Sequence, residues 1–408
     1  MRKAEILCVW LLLVLTSLAS ASKEKEDKSL TLHIGIVNYR NQVVEVLPGM
    51  ILSAAKGKAV DFARMAKEMK DVPFIFIGEN HDSLPMHEVQ LKTIEALYAQ
   101  DKRISIGLEM FPVTYQPQLD KWTAGSLTKD EFIREGKWYI NWNLNFGYYE
   151  KIFDFARENK IPMWALNAPK DLITTIRMKG WDALSEDEKK IVPRPDLTNQ
   201  EHRQLIRTIL ESAELPHQMK GADLDMVFEG LYRAQVAWDE VMAANAVRAY
   251  QKDGRHLIVL AGSGHLLYDL GINLRVHEKT RLASKTVVCV PVPKGKAGLK
   301  VTRSLGDYVW GLPEEDRPAF PSVGLIFKKF EGLDNLAIDG KPIEGAAKGG
   351  DFEKGDIVLA VDGKRFDDIN EARTYLAQFK WGDEVKFRLL RNAQVKEVAL
   401  RFEASKDK

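Results

Sequence analysis

Apolar runs that stop abruptly at glycine and polar side chains recur along this chain. Phe74-Ile75-Phe76-Ile77 carries no charge and ends at Gly78-Glu79-Asn80-His81-Asp82, and residues 256–261 run in the same way into Gly262-Ser263-Gly264-His265. A short apolar run rich in β-branched and aromatic residues, bounded by a turn signal, predicts a strand buried on both faces of a parallel sheet. Ligands of open α/β sheets bind just past the carboxyl ends of such strands. Both of these strands end in Gly-x-x-His.

Helical periods alternate with the strands. Residues 60–69 predict a helix, and so do residues 86–98, with apolar positions at Val89, Leu91, Ile94 and Leu97. Residues 104–108 predict a second strand with Glu109 at its end. Helical residues 148–159 then lead to a third strand, 163–166, which stops at Asn167-Ala168-Pro169. The segment 32–37 is β-rich, and residues 170–251 show helical periods and turns alone. The expected class is α/β: a mostly parallel sheet with flanking helices and a helical insertion, followed by a small β-rich domain. The expected boundaries are 30–300 for the first domain, 301–318 for a Pro- and charge-rich linker, and 319–404 for the second.

One polar residue after a strand ordinarily caps a helix or makes a turn. Four strands ending in His81, Glu109, Asn167 and His265, with Glu79 beside the first, predict instead a shared cleft. Asp239 shares a helical period with Gln235 and Trp238, and either pairs with a neighbour or orients a site histidine. His202 and His217 read as solvated or capping residues. The aromatic stretch 138–149 reads as core, or as the wall or lid of a flat apolar ligand site.

Hydrophobics at 45%, charged residues at 29% and a net charge of +1 leave no electrostatic footprint for nucleic acid or an anionic membrane. Arg2 and Lys3, an apolar run and Ala19-Ser20-Ala21 predict a signal peptide over residues 1–21. Its removal leaves no membrane span and Cys289 as the one cysteine, so no intramolecular disulfide forms. Cys289 lies in an apolar strand pattern and reads as core.

The C-terminal domain resembles a bacterial-type PDZ domain through Gly355-Asp356-Ile357-Val358 and Val361-Asp362-Gly363-Lys364. The resemblance implies peptide binding beside Gly324, Leu325, Ile326 and Phe327, a loose form of the family's carboxylate-binding loop. Residues 45–290 resemble the ChaN-type haem-binding uptake family, related to Tiki proteins and erythromycin esterases. The carrying motifs are Gly78-Glu79-Asn80-His81-Asp82, Leu108-Glu109-Met110-Phe111-Pro112, Leu166-Asn167-Ala168-Pro169, Ala234-Gln235 with Trp238-Asp239, and Gly262-Ser263-Gly264-His265.

That resemblance implies haem held in part by tyrosine and histidine, with Tyr148, Tyr149, Tyr268, His81, His265 and Asn167 as candidates, and a homodimer if protomers share the haem. The hydrolase relatives imply an alternative in which Glu79, His81, Glu109 and His265 activate water, with His81, Glu109 and His265 holding Zn, Mn or Fe. Residue chemistry alone favours the hydrolase, and family proximity favours haem binding in iron uptake. No Gly-x-Ser-x-Gly or Cys-x-x-Cys-His occurs, which argues against a serine hydrolase and excludes c-type haem. A non-catalytic adaptor working through the PDZ domain is the third reading. The signal peptide and the PDZ type place the expected protein in the periplasm.

Overall fold

A computed structural model describes residues 27–212 and 224–403; the proposed leader and His217 lie outside them. The chain forms two compact units: residues up to Gly125 with Lys151–Glu315, and Ser126–Glu150 with the residues from Asp316 onward.

The first unit begins with β1 (Val43–Val46), β2 (Ile51–Ser53), β3 (Lys58–Val60) and α1 (Phe62–Met69). It continues through β4 (Phe74–Glu79), α2 (Leu84–Gln100), β5 (Ile104–Pro112) and α3 (Gln116–Thr123). The chain then supplies α4 (Lys129–Glu135) and α5 (Trp138–Asn141) to the second unit before returning as α6 (Glu150–Glu158) and β6 (Met163–Asn167). The helical insertion is α7 (Lys170–Lys179), α8 (Glu186–Ile191), α9 (Gln200–Ser212) and α10 (Leu224–Asp253). After it come β7 (His256–Gly262), α11 (Ile272–Thr280), β8 (Ser284–Val292), β9 (Leu299–Thr302) and β10 (Tyr308–Pro313).

The main sheet has the order β3-β2-β10-β8-β4-β7-β5-β6, and its six strands from β10 to β6 are mutually parallel. Every residue of β4 and β5 is buried, as continuous apolar runs require when both faces are covered. Because β4, β7, β5 and β6 are neighbours and parallel, their carboxyl ends lie side by side on one edge. Helix α10 serves two apolar clusters of this unit. Phe228, Leu231 and Tyr232 enter one of them, and Ala237, Val241 and Met242 the other.

Three expectations change here. Residues 32–37 form no strand; the first strand is β1, paired with β9. Residues 301–313, read as linker, complete β9 and build β10, which lies between β8 and β2 in the sheet. Short, Gly- and Pro-bounded segments carry a linker's composition, and only pairing with distant strands makes them sheet. Third, the aromatic stretch 138–149 belongs to the second unit.

That unit is a five-stranded antiparallel sheet, β11 (Phe327–Lys329), β12 (Leu336–Ile338), β13 (Ile357–Val361), β14 (Glu384–Arg391) and β15 (Gln394–Arg401), with α12 (Ile369–Leu376) between β13 and β14. Strict alternation puts Val385, Phe387 and Leu389 of β14 in its core while Glu384, Lys386 and Arg388 stay outside. The Gly-Asp motif has a structural cause. Asp356 is buried, accepts the Glu353 amide at 2.9 Å and takes a two-pronged ion pair from Arg391 at 2.6 and 2.7 Å.

Candidate functional site

The edge formed by β4, β7, β5 and β6 gathers the polar strand ends, and it sorts them into two buried couples. Glu79 closes β4 and is fully buried; its Oε1 lies 2.9 Å from His81 Nδ1. Its Oε2 accepts Gln90 Nε2 at 2.5 Å and lies 3.3 Å from His87 Nδ1. His87 and Gln90 come from consecutive turns of α2, so the helix that follows the Gly-Glu-Asn-His-Asp turn folds back over its own strand end. His87 Nε2 is 3.1 Å from the His81 carbonyl, and Nδ1 is also 3.0 Å from Gln90 Oε1. Both nitrogens of His87 therefore face acceptors, the arrangement of an imidazolium. Burial opposes that charge, and Glu79 outweighs burial and raises the His87 pKa. The same pairing holds Glu79 below the carboxylate range although its burial pushes the other way.

The second couple centres on His265, which has no exposure. Its Nδ1 lies 2.5 Å from Asp239 Oδ1 of α10, and its Nε2 lies 3.4 Å from Glu109 Oε1 of β5. Burial works against a charged ring here too, but Glu109 and Asp239 prevail and push His265 up to about 10. Glu109 Oε2 also accepts the Gly262 amide at 2.6 Å, which ties the end of β5 to the end of β7. Asp239 Oδ2 faces Arg275 Nη1 at 3.7 Å, and Glu240 takes Arg275 Nε at 3.1 Å and Lys279 at 2.9 Å. Each buried carboxylate thus has a cation against it, as burial of charge demands.

Asp239 is the partner of a strand-end histidine, one of the two roles its spacing allowed. His202, read as solvated or capping, is instead fully buried with Nε2 3.5 Å from Asp239 Oδ2. Burial comes first, and the positive charges of Arg275 and His265 add to it, in holding His202 well below its ordinary pKa. Sequence reasoning missed His87, Gln90 and Arg275. The first two lie six and nine positions after His81, on the α2 face that carries Met86, Val89 and Ile94 inward, and a polar residue on an apolar face was the available signal.

Asn167 adds a backbone tie: its Nδ2 donates to the Glu109 carbonyl at 2.9 Å and its Oδ1 accepts the Ala168 amide at 2.8 Å. Of the tyrosine candidates, Tyr148 and Tyr149 belong to the second unit and Tyr268 to the first. Tyr149 has no exposure and accepts from Trp142 Nε1 at 3.1 Å, while Tyr148 packs edge-on against Phe320, 4.8 Å between ring centres. Tyr268 is buried, with its hydroxyl donating to the Ser29 carbonyl at 2.7 Å. Among the described residues no group of three or more His, Cys, Asp or Glu is arranged to hold a metal ion. His81, Glu109 and His265 are among the residues that form no such group; His265 Nδ1 is taken by Asp239 and its Nε2 faces Glu109 at 3.4 Å. Cys289 is buried core, its thiol pushed up to about 12 by burial. Among the described residues no helix is long and apolar enough to cross a membrane.

In the second unit, Leu325 and Phe327 are core residues, and the Ile326 carbonyl accepts the Asp339 amide at 2.8 Å. Gly324 has φ +76°, and a Cβ there would stand 1.9 Å from the Glu344 carbonyl oxygen, so the loop requires glycine. Strand β11 is the edge of its sheet.

Fold and site together define an α/β protein with carboxylate–imidazole couples beyond its parallel strands, joined to a PDZ domain. Residues 65–276 match the family of haem-binding uptake proteins of the Tiki superfamily, ChaN, and residues 330–401 match the PDZ domain; the chain belongs to the ChaN family. Among solved structures, ChaN of Campylobacter jejuni, which binds haem cofacially, is 21% identical with a TM-score of 0.51, covering 64% of this chain and 95% of its own. An erythromycin esterase variant in its open conformation is 10% identical over 65% of this chain and 97% of its own, with a TM-score of 0.39. Among curated proteins, Reticulata-related 5 of Arabidopsis thaliana, a chloroplastic protein, is 22% identical over 144 residues. The match covers 33% of this chain and 19% of the plant protein.

Proposed function

We propose that this chain is an exported haem-binding protein of iron uptake, with a PDZ domain that takes a peptide terminus along β11. The family match carries the reading, since it runs through all four polar strand ends, and the fold shared with the cofacial haem binder of Campylobacter supports it. The order of charged, apolar and small residues over positions 2–21 supports export to the periplasm. The edge position of β11 supports strand addition.

Most of the donors named from the sequence do not fit an iron ligand. His265 is fully buried with Nδ1 on Asp239, Asn167 spends its amide on backbone, and Tyr149 and Tyr268 are fully enclosed. His81 is the strand-end donor that fits best, because Glu79 fixes its ring through Nδ1, as second partners of ligating histidines do. Bound haem supplies iron redox and Lewis-acid chemistry. The chain's own part is to orient His81 through Glu79, and to hold a proton on His265 between Glu109 and Asp239. In the hydrolase alternative His265 is fully buried between Asp239 and Glu109, so the base that reading would use is His81, oriented by Glu79.

Haem titration followed at the Soret band tests the reading, with two variants. Saturable binding is expected for the parent and for Tyr149→Phe, with a shifted or weakened band for His81→Ala. No saturable band with the parent chain sinks the haem proposal, and a shift with Tyr149→Phe but not His81→Ala moves the ligand away from the strand ends.

A further inference from the structure

A buried charge in the helical insertion ordinarily has an opposite charge against it. Arg275, with 3% exposure, stands 3.1 Å from Glu240 and 3.7 Å from Asp239. Arg177 departs from this. It sits in the last turn of α7 with 8% exposure, and its Nη1 is enclosed by protein without a hydrogen-bond partner. Among the described residues no carboxylate pairs with it.

A second arginine comes to the same place from α10. Arg233 Nη2 donates to the Arg177 carbonyl at 2.8 Å, which caps the end of α7 and accounts for one of its donors. Its Nε is enclosed and unpartnered like Arg177 Nη1, and no carboxylate among the described residues pairs with Arg233 either. Gly230, one turn earlier on α10, shows how closely the side chains approach. From the place its Cβ would take, Arg177 Cγ is 3.5 Å and Arg233 Nη2 3.9 Å away.

The surroundings are apolar: Leu172, Ile173 and Ile176 of α7 pack with Ala234 and Ala237 of α10. Two guanidiniums in such a place repel each other and bear the cost of lost hydration. An anion shared between them reverses both effects, and the planar fork of a guanidinium matches the paired oxygens of a carboxylate or phosphate. The pair also stands near the strand-end edge. Arg233 lies six residues, about 9 Å along the helix axis, before Asp239, the partner of His265. Helix α7 begins at Lys170, just after β6 ends at Asn167.

We propose that Arg177 and Arg233 form an oxyanion receptor, which takes a carboxylate or phosphate group as the counter-charge that the chain's own carboxylates do not supply. A free inorganic anion and a propionate of haem are two sources of that chemistry. The haem source rests on the haem reading above; the receptor does not.

Three measurements on the whole chain test it, with Arg177→Met and Arg233→Gln. In phosphate-free buffer Arg177→Met should unfold at a temperature no lower than the parent, because an apolar side chain relieves an unpaired buried charge. A fall of about 5 °C or more would mean that Arg177 is already paired within the fold, which overturns the proposal. Calorimetric titration with inorganic phosphate should show saturable binding by the parent, weakened about tenfold or more in both variants. Haem and its dimethyl ester are then compared at the Soret band; the parent should prefer the free acid by about tenfold, and the variants should lose that preference. Loss of the preference without phosphate binding assigns the site to a propionate, and weakened phosphate binding with the preference unchanged assigns it to a free anion; either supports the receptor. If neither quantity depends on either arginine, the proposal is overturned. A parent that binds phosphate through Arg177 and gives no saturable Soret band keeps the receptor and loses the haem reading.

Discussion

His265 shows how a residue's neighbours decide its chemistry. Between Asp239 and Glu109 its pKa rises from the ordinary 6.5 to about 10, so the folded chain holds this proton more tightly than the unfolded chain does. The resulting stabilisation is complete below pH 6.5, declines above it, and is gone past about pH 10. Thermal unfolding should therefore fall by about 5 °C or more between pH 7 and 10, with a shallower slope for His265→Gln. A slope unchanged by that substitution would show that His265 is not the group responsible. Replacing Glu109 by Gln leaves the imidazolium short of one anion, and a loss of about 3 kcal/mol is expected in urea unfolding. Glu109 and His265 were legible as paired strand ends, but their pairing with each other was not, because 156 positions of sequence distance carry no geometry.

At the level of elements, Gly78 explains why β4 and β7 end together. A Cβ at this position would meet Ser263 Oγ at 2.8 Å, Cα at 3.3 Å and Cβ at 3.5 Å, so the two strand ends close only over a bare glycine. Gly78→Ala should destabilise the fold by about 1–3 kcal/mol. Adding Ser263→Ala removes the tightest contact and should recover part of that loss; a double variant no more stable than Gly78→Ala would mean that the strain lies elsewhere. The Gly-x-x-His pattern was visible in the sequence at both strands. That its first glycine in β4 serves strand packing became visible when the parallel register set Gly78 beside Ala261.

Two compact units make up the described chain, and residues 126–150, which interrupt the first unit's sequence, belong to the second unit. Leu389→Ala, in the PDZ core, should cost about 2–4 kcal/mol in one unfolding transition and leave the other in place. Proteolysis within 126–150 should follow the weakened transition; cleavage there in step with the first unit would contradict this assignment. The sequence by itself determined the α/β class, the four strands that carry the polar ends, the PDZ resemblance and the set of polar strand ends. Each of these is written in local periodicity or in a contiguous motif, because burial on one face or two imposes a repeat on neighbouring residues. Only the tertiary structure decided that 301–313 is sheet, that the aromatic stretch belongs to the unit of the PDZ domain, that His202 is buried, and which carboxylates stand against His81, His87 and His265. Those outcomes depend on contacts between residues far apart in the chain, and the free energy of a buried charge is set by what stands against it in space.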